Sequence, residues 1–478
     1  MKERNFFSFL TRSRLIGLLV SVMLLIAISF AFLLSRGQPT PFLLFHGQPT
    51  PHLSPVPDPA PANSVLSIEQ SILDNVKANG YNNNSSVNHG LGGLWVNWKY
   101  GSSPLQTNFN GSGSPDGDSV DPPRHDQYTD LRYLHTLWLY QSQNPNDTRY
   151  KSEIEKYTAI VKAEFNQSKD ERGWLFDEEF MDLYNLSHDS FYKDTAISLV
   201  ESYAQKFDPK VGSIYKTNDT HPLGSFRVEL VLESGCALIQ AGTLFQNPDW
   251  VQKGQSIVNF VYAHAYIPQY HMFPQQVDRV HLEDGSVNPS EVFFSDQTNQ
   301  SYTVSGNQIS MGSISQIILS LLHTYQVTHN QDFLHKATDL LDQLSLPQNS
   351  LGLWDANSMG YFSGVSFTGT GPTSPGEMKL KSHNKEAGRQ MTMLPVFHLA
   401  NTFTNNKYQT MEALMRNIAV SKAYYAPVHG VIYEVKPDWT PLTKNGQPED
   451  WVTTEAMGIE LEGLFTIDPM TSLSALAS

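Results

Sequence analysis

Charged side chains cluster at the predicted starts of several helices that are otherwise apolar. The charged stretch at 382–391 is followed by the apolar run TMLPVFHLANTF, and similar starts occur at 124–132, 176–180, 226–233 and 453–462. A buried helix carries a charge only where that charge is paired or used. Acidic residues in a first turn can also stabilise a helix by about 0.3–1 kcal/mol each through their interaction with the helix dipole. Arginine and histidine carry positive charge, which is unfavourable at that end of a helix. The clustering therefore predicts a common site at these helix starts.

The acidic residues of these segments are candidates for catalysis. Cleavage of a glycosidic bond requires two carboxyl groups, one that protonates the leaving oxygen and one that activates water or attacks directly. Asp126 and Glu386, on different helices, are the predicted pair, with Glu229 and Asp130 in reserve. Which of them is the acid depends on environments that shift their pKa values.

Basic and aromatic residues near the same helix starts are candidates for substrate binding. Arginine and histidine can donate hydrogen bonds to a carboxylate or to sugar hydroxyls, and tryptophan faces can pack on sugar rings. For Trp95 and Trp174, an equally good interpretation is that the rings plug helix ends. The predicted binding residues are His125, Arg132, Trp95, Trp174, Arg227, His383, Arg389, Trp354 and Trp451.

No cofactor or metal is predicted from sequence motifs. The acidic loop SPDGDSVD at 114–121 could offer oxygens to calcium, but it lacks the twelve-residue EF-hand pattern. No HExxH motif occurs, and the histidines lack zinc-like spacing. The GxSxG, GxGxxG and GxxxxGK[ST] signatures of serine nucleophiles and phosphate-binding loops are absent as well.

Composition narrows the range of partners. The chain has 478 residues, 40% hydrophobic and 11% aromatic, enough for one very large domain or two ordinary ones. Its formal net charge of -15, with lysine and arginine scattered through the body of the chain, argues against nucleic acid and against an acidic polymer. If the candidate acidic and aromatic residues bind a carbohydrate, that carbohydrate is therefore predicted to be neutral, and no obligate protein partner is evident.

The N-terminal segment predicts export and anchoring. Residues 15–34 are twenty consecutive uncharged residues, long enough to cross a bilayer as a helix. Four basic residues precede them, which predicts a cytoplasmic N-terminus, and the length favours an uncleaved anchor over a signal peptide. The predicted organisation is a cytoplasmic segment 1–14, a plasma-membrane anchor 15–34, a proline-rich stalk 35–62 and an extracytoplasmic domain 63–478.

Apolar periodicity predicts twelve helices, paired through short links. Helices that follow glycine-aromatic turns are apolar on several faces and are predicted to lie inside, whereas their partners have one apolar stripe and are predicted to lie outside. The predicted spans are 65–80, 125–142, 148–167, 177–186, 188–206, 226–245, 248–266, 311–328, 331–346, 384–404, 406–424 and 451–465.

Glycine-aromatic turns recur between the helix pairs, as in FDPKVGSIY at 207–215 and LWDANSMGYF at 353–362. Glycine permits the backbone turn, and the aromatic ring can cap a helix end. With these turns and six inner and six outer helices, the chain resembles the six-hairpin glycosidase-like superfamily, the (α/α)6 toroids. The resemblance implies an all-α (α/α)6 toroid of six helical hairpins with short β-hairpin loop insertions, which in this sequence follows one transmembrane helix.

The resemblance also implies sugar chemistry by analogy. The predicted function is that of a membrane-anchored extracytoplasmic glycoside hydrolase that acts on a neutral oligo- or polysaccharide. Alternatives remain open. The element HNKE, His383 to Glu386, looks like the His-x-x-Glu element of the N-acylglucosamine 2-epimerase family, and a polysaccharide lyase would likewise use histidine or tyrosine. The third alternative is a non-catalytic glycan-binding surface protein.

Overall fold

The computed structural model describes the folded part of the chain. No helix in that part is long and apolar enough to cross a membrane. The predicted segments 1–14 and 15–34, all but the last residue of the stalk, and the acidic loop at 114–121 lie outside the described residues. The described residues are 62–82, 90–102, 127–167, 172–214, 226–281, 287–294, 306–444, 446–448 and 451–466.

Outer and inner helices alternate along the described chain. The outer helices are α1 Ala62–Asn79, α3 Lys151–Gln167, α5 Ser190–Lys206, α7 Pro248–His264, α9 Gln331–Leu344 and α11 Gln409–Ile418. The inner helices are α2 Gln127–Gln143, α4 Asp182–Ser187, α6 Val228–Leu244, α8 Met311–Thr328, α10 Met393–Phe403 and α12 Thr454–Thr466. A π-helical turn, Phe176–Met181, leads into α4.

The inner helices form a closed ring. α2 packs on α4 and α12, α6 packs on α8, and α10 lies between α8 and α12. The ring closes because the short 3-10 segment Gly173–Leu175 before α4 packs on α6. Each of the first five inner helices is paired with the outer helix that follows it, and α12 is paired with α1. The predicted toroid of six helical hairpins is therefore confirmed.

The two sets of helices differ as their sequences predict. In α6 every residue from 231 to 242 is buried, because neighbours surround this helix on all sides. In α9 the buried residues recur every three or four positions, which is the pattern of a helix with one face on a core. These residues are Phe333, Leu334, Ala337, Leu340, Leu341 and Leu344.

Short antiparallel strands join the helices and pair with distant parts of the chain. The pairs and triplets in the described residues are β1 Tyr81–Asn82 with β2 Gly93–Leu94, β3 Asn97–Lys99 with β16 Trp451–Thr453, β4 Phe207–Asp208 with β5 Ser213–Ile214, β6 Phe226–Arg227 with β7 Gln276–His281 and β8 Val287–Phe294, β9 Gln308–Ser310 with β10 Gly364–Phe367 and β11 Met378–Leu380, β12 Lys385–Glu386 with β13 Glu434–Val435, and β14 Thr443–Lys444 with β15 Gln447–Pro448.

The starts of three inner helices differ from the prediction. The helix predicted at 384–404 begins at Met393, after strand β12 and the 3-10 turn Arg389–Thr392. Strands β6 and β16 similarly precede α6 and α12. The backbone of these segments pairs with loops far away in sequence, and that pairing replaces the first helical turn. The charged residues before α6 and α10 therefore lie on extended or turn backbone.

The carboxyl group of Glu460 is buried without a hydrogen bond from any described residue. Glu460 on α12 is 0% exposed, and neither of its oxygens accepts a hydrogen bond there. Burial disfavours the charged form and raises the pKa of Glu460 well above its ordinary value of 4.5. The folded protein therefore binds this proton more tightly than the unfolded chain does. As a result, stability falls as the pH rises above the unfolded pKa.

We expect Glu460→Met to raise the free energy of unfolding at pH 7 by about 1–3 kcal/mol, because the thioether chain leaves no unsatisfied polar group in the core. The gain should shrink towards about pH 4, where the carboxyl group is protonated in both states. Urea denaturation at three pH values measures it. The exposed Glu201 on α5 supplies the control variant Glu201→Met, which should show no such gain. A gain independent of pH would contradict a buried neutral carboxyl group.

Candidate active site at the inner-helix starts

Polar side chains from three inner-helix starts meet at one end of the ring. Arg227, at the end of β6, donates to Glu229 in the first turn of α6. Ser313, in the first turn of α8, hydrogen-bonds to Glu229. Arg389, in the turn before α10, crosses Gly312 of α8, where a Cβ atom would lie 2.9 Å from Arg389 Cδ. The starts of α6, α8 and α10 therefore lie side by side.

Arg389 links two carboxylates from neighbouring parts of the ring. Its Nε lies 3.9 Å from Oε2 of Glu386 on β12, and its Nη2 lies 3.4 Å from Oε1 of Glu455 on α12. The segment is held close because Gly388 packs on Ala456, where a Cβ atom would lie 2.5 Å from the alanine Cβ. Both carboxylates therefore face one guanidinium group.

A second arginine lies one turn deeper in the ring. Arg132 of α2 crosses Gly458 of α12, and its guanidinium carbon lies 4.5 Å from the ring centre of Trp174. Trp174 contacts Tyr128 edge to face at 6.2 Å, and Arg172 lies 4.0 Å from the centre of the Tyr128 ring. Trp174 is 7% exposed. These contacts bury most of the Trp174 ring between Arg132 and Tyr128.

The carboxyl groups of this cluster have opposite pKa shifts. Burial raises the pKa of Glu386, and Arg389 offsets only part of that rise. Burial also opposes ionisation of Glu229, but Arg227 and other neighbours outweigh it and lower the pKa of Glu229. The pKa of Glu455 is lowered similarly, because Arg389 and two other arginines outweigh burial. A carboxyl group with a raised pKa thus lies near carboxyl groups with lowered pKa values, and acid-base catalysis by two carboxyl groups uses such a difference.

Asp130 lies away from this cluster. It is fully buried on α2, and its Oδ1 accepts a hydrogen bond of 2.8 Å from the backbone N–H of Leu94 on β2. Its charge acts on Lys156 and Tyr157 of α3. Asp130 therefore attaches β2 to α2 on the outer side of the inner ring. We exclude it from the catalytic candidates, because its carboxylate faces α3 and β2.

His383 and Glu386 project in opposite directions. Residues two apart in extended backbone share a face. The ring of His383 lies 5.7 Å from that of Phe362, and Lys385 Nζ lies 5.8 Å from the same ring. Glu386 instead faces Arg389. The predicted His-x-x-Glu element therefore does not bring its histidine and its glutamate to one site, and His383 is exposed.

The predicted tryptophans lie in the joints between hairpins. Trp354 is buried and contacts Tyr361 edge to face at 5.1 Å, so it fills its own glycine-aromatic turn. Trp95 and Trp451 are half-buried beside the start of α12. Thr454, the first residue of α12, donates its hydroxyl to the carbonyl of Trp95. Of these three tryptophans, only Trp95 and Trp451 lie close to the cluster of charged residues. Trp451 is near Glu455 in sequence, and Trp95 contacts Thr454.

Two predicted residues, Asp126 and His125, lie outside the described residues, directly before Gln127 at the start of α2. Glu455 is a member of the cluster that the sequence does not single out as catalytic. Its signal is the charged start at 453–462, which matches the other inner-helix starts. The partner Arg389 is 66 residues away, so spacing alone does not identify this pair.

A cavity of about 340 Å³ lies within the ring of inner helices. One end of the cavity, near the helix starts, is lined by Arg132, Glu178 and Gln316. The other end, near the C-termini of the inner helices, is lined by Gln143 and Thr466. Burial, together with the charge of the neighbouring aspartate, raises the pKa of Glu178 well above its ordinary value. The cavity therefore has a polar lining, to which Arg132 contributes, whereas Glu229, Glu386 and Arg389 are not among the described residues that line it.

Comparisons with known proteins detect structural relatives only. No family model and no curated protein sequence matches the chain. The structure is similar to an unsaturated glucuronyl hydrolase from Bacillus sp. GL1, with 12% identity, a TM-score of 0.55 and coverage of 85% of this chain and 96% of that chain. That enzyme is described as responsible for the degradation of glycosaminoglycan.

Two further enzymes of solved structure have a similar architecture. A family 76 glycoside hydrolase from a bovine Bacteroides thetaiotaomicron strain has 12% identity and a TM-score of 0.52, with coverage of 84% of this chain and 77% of that chain. An inactive variant of an alpha-1,6-mannanase from Salegentibacter sp. HEL1_6, in complex with alpha-1,6-mannotriose, has 12% identity and a TM-score of 0.52, with coverage of 84% and 99%. Both kinds of enzyme are six-hairpin glycosidase superfamily members. The chain therefore has the (α/α)6 toroid fold that these enzymes share.

Proposed function

We propose that the chain is a glycoside hydrolase whose reaction takes place at the inner-helix starts. The observation that carries this proposal is that the pKa of Glu386 is raised and the pKa of Glu229 is lowered within one cluster. The charge of Arg389 acts on both carboxyl groups. Glycosidic cleavage uses one protonated carboxyl group and one carboxylate. The shared fold adds support by analogy, because its structural relatives are enzymes that act on glycans.

In this proposal Glu386 protonates the leaving oxygen, because burial favours its neutral form. Glu229 is the described candidate for the base or nucleophile, because its neighbours favour the charged form. Asp126, the partner predicted from sequence, directly precedes α2 and is the second candidate for that role. Glu455 is assigned to orient Arg389, which it contacts. A sugar bound between these groups would meet an acid and a carboxylate.

A neutral oligo- or polysaccharide is the proposed substrate. Arg227 and Arg389 each contact a carboxylate, Glu229 and Glu455, so their charges are already compensated. The acidic balance of the whole chain also disfavours an anionic polymer. The proposed location is outside the plasma membrane on an uncleaved anchor, which rests on the sequence of residues 1–36.

Release of reducing ends from defined oligosaccharides tests the proposal. The panel contains neutral α-1,6-linked mannotriose and other neutral oligosaccharides, together with an unsaturated glucuronyl oligosaccharide as the anionic probe. We expect turnover of a neutral member and a large decrease in that turnover in Glu229→Gln or Asp126→Asn. Turnover of the anionic probe alone would overturn the assignment of a neutral substrate. Binding of a glycan without any turnover would favour the non-catalytic alternative.

We expect a bell-shaped dependence of kcat/KM on pH. Activity should rise as Glu229 ionises, below the ordinary glutamate pKa, because the pKa of Glu229 is lowered. It should fall as Glu386 loses its proton, above the ordinary range, because the pKa of Glu386 is raised. Initial rates from about pH 3 to 9 on a neutral substrate measure both limbs. Glu229→Gln should remove the acidic limb from the residual activity, and an unchanged acidic limb would assign it to another group.

A further inference from the structure

Three side chains, two of them buried and one partly exposed, converge beside the cavity within the ring of inner helices, deeper in the ring than the cluster of the proposed active site. They are His135 of α2, Glu179 of the π-helical turn before α4, and Glu462 of α12. His135 Nδ1 lies 3.2 Å from Glu179 Oε2 and 3.5 Å from Glu462 Oε1. One donor atom from each residue lies within 4.8 Å of the other two. Glu179 is 0% exposed and His135 is 4% exposed, so water does not solvate these charges freely.

The contacts of His135 with the neighbouring carboxylates, at 3.2–3.6 Å, are longer or less well aligned than charged hydrogen bonds usually are. Among the described residues, neither ring nitrogen of His135 and neither oxygen of Glu179 makes a hydrogen bond of good geometry. A charged N–H···O bond would be about 2.7–2.9 Å long and well aligned. Ligands about 2.0–2.2 Å from a tetrahedral ion lie about 3.3–3.6 Å from one another. The distances from His135 Nδ1 to the two carboxylates resemble this second spacing.

The neighbours of the three residues are those expected around metal ligands. Asp182 Oδ2 lies 3.6 Å from His135 Nε2, the ring nitrogen opposite the carboxylates. Arg132 Nε lies 3.3 Å from Glu179 Oε1 and 3.1 Å from both Oε1 and Oε2 of Glu462. A metal-bound histidine typically turns its second nitrogen towards a carboxylate, and ligating carboxylates are themselves hydrogen-bonded. Asp182 and Arg132 can therefore orient the three ligands.

We propose that His135, Glu179 and Glu462 bind one divalent transition-metal ion, zinc or manganese. Imidazole suits zinc, and carboxylates suit manganese. With His135 neutral, the carboxylates of Glu179, Glu462 and Asp182 exceed the charge of Arg132 by two, which a divalent ion balances. His135 and Glu462 line the cavity, so a fourth position is open to water from it. The ion would connect α2, the segment before α4, and α12.

Metal titration of the full-length chain tests this site. After treatment with a chelator and its removal, the protein is titrated with ZnCl2 or MnCl2 by calorimetry, and its Tm is followed by thermal melting. We expect one ion per chain and a rise in Tm for at least one of the two metals. MgCl2 and CaCl2 should bind more weakly, because these ions prefer oxygen ligands only.

Variants identify the ligands. We expect His135→Gln and Glu462→Gln each to weaken metal binding by at least about 100-fold. Removal of a residue that only orients a ligand weakens metal binding by about 10–100-fold, so removal of a ligand itself should cost at least as much. Asp339→Asn is the matched control, because it removes the carboxylate of an exposed histidine-carboxylate pair with His271 and should leave affinity and stoichiometry unchanged.

Two results would overturn the proposal. One is the absence of any saturable binding or Tm rise with either ion, which would assign the cluster to a salt-bridge network with a protonated His135. The other is unchanged affinity in both variants, which would assign the ion to the protein surface. If His135→Gln does not fold, Glu462→Gln decides, because Glu462 is partly exposed. None of these readouts uses turnover, so they are independent of the proposed hydrolase activity.

Discussion

Glu386→Gln should lower kcat/KM on a neutral glycan by about 10²–10⁴-fold, the range expected for loss of a general acid. Glutamine keeps the size and polarity of the side chain but carries no acidic proton. The fold should persist, because strand β12 pairs through its backbone and the ion contact of Glu386 with Arg389 is long, at 3.9 Å. Initial rates and circular dichroism measure the two effects. Glu377→Gln, an exposed change in the same loop region, is the matched control.

A substrate with a good leaving group sharpens this test. An aryl glycoside with an acidic phenol needs little protonation of the leaving oxygen, so Glu386→Gln should cleave it nearly as fast as the unchanged protein does. A loss of activity as large as that on the natural linkage would show that Glu386 positions the substrate or Arg389 instead. Retention of activity on both substrates would remove Glu386 from the mechanism.

Lys385→Met should lower the free energy of unfolding by about 3–5 kcal/mol, the cost of removing one partner of a buried ion pair. Lys385 is fully buried, and its Nζ donates to Asp355 Oδ2 at 2.8 Å and to the carbonyls of Met359 at 2.7 Å and Pro437 at 2.6 Å. The methionine would remove the Nζ donor from Asp355 Oδ2 and from the Pro437 carbonyl, whereas the Met359 carbonyl would still accept from Trp439 Nε1. Urea denaturation at neutral pH measures the loss.

The exposed pair of Lys379 and Glu377 provides the comparison. Its side chains are 55% and 69% exposed at a separation of 3.0 Å. We expect Lys379→Met to change stability by less than about 1 kcal/mol, as for other surface ion pairs. Similar small effects of both lysine variants would show that Lys385 does not support the joint between β12 and the 353–362 turn.

Much of the fold follows from local sequence patterns. Apolar periodicity predicts all twelve helices, and the difference between a single stripe and all-round apolarity distinguishes α9 from α6. The starts of α6, α10 and α12 are not predicted correctly, because strands of two or three residues stand where the sequence predicts a first helical turn. Pairing with distant loops stabilises these strands. For Glu386, the partner strand begins 48 residues later, at Glu434, and no local signal encodes that pairing.

The candidate site is predicted only in part. Arg227, Glu229, Glu386 and Arg389 come together because the starts of the inner helices lie at one end of the ring. Asp130 does not join them, because the side of a helix that faces the axis depends on tertiary packing. The proposed metal ligands are absent from the predicted residues because three separate helices supply them, without any short motif.

The pairing of β3 with β16 joins residues 97–99 to residues 451–453. Thr454 also donates its backbone N–H to the carbonyl of Val96, so the last inner helix begins directly against an early loop. During synthesis on the ribosome, the early loop must wait for nearly the entire polypeptide to emerge before it meets its partner. Folding of this circular architecture should therefore finish late, and incomplete chains would expose apolar surface that chaperones recognise.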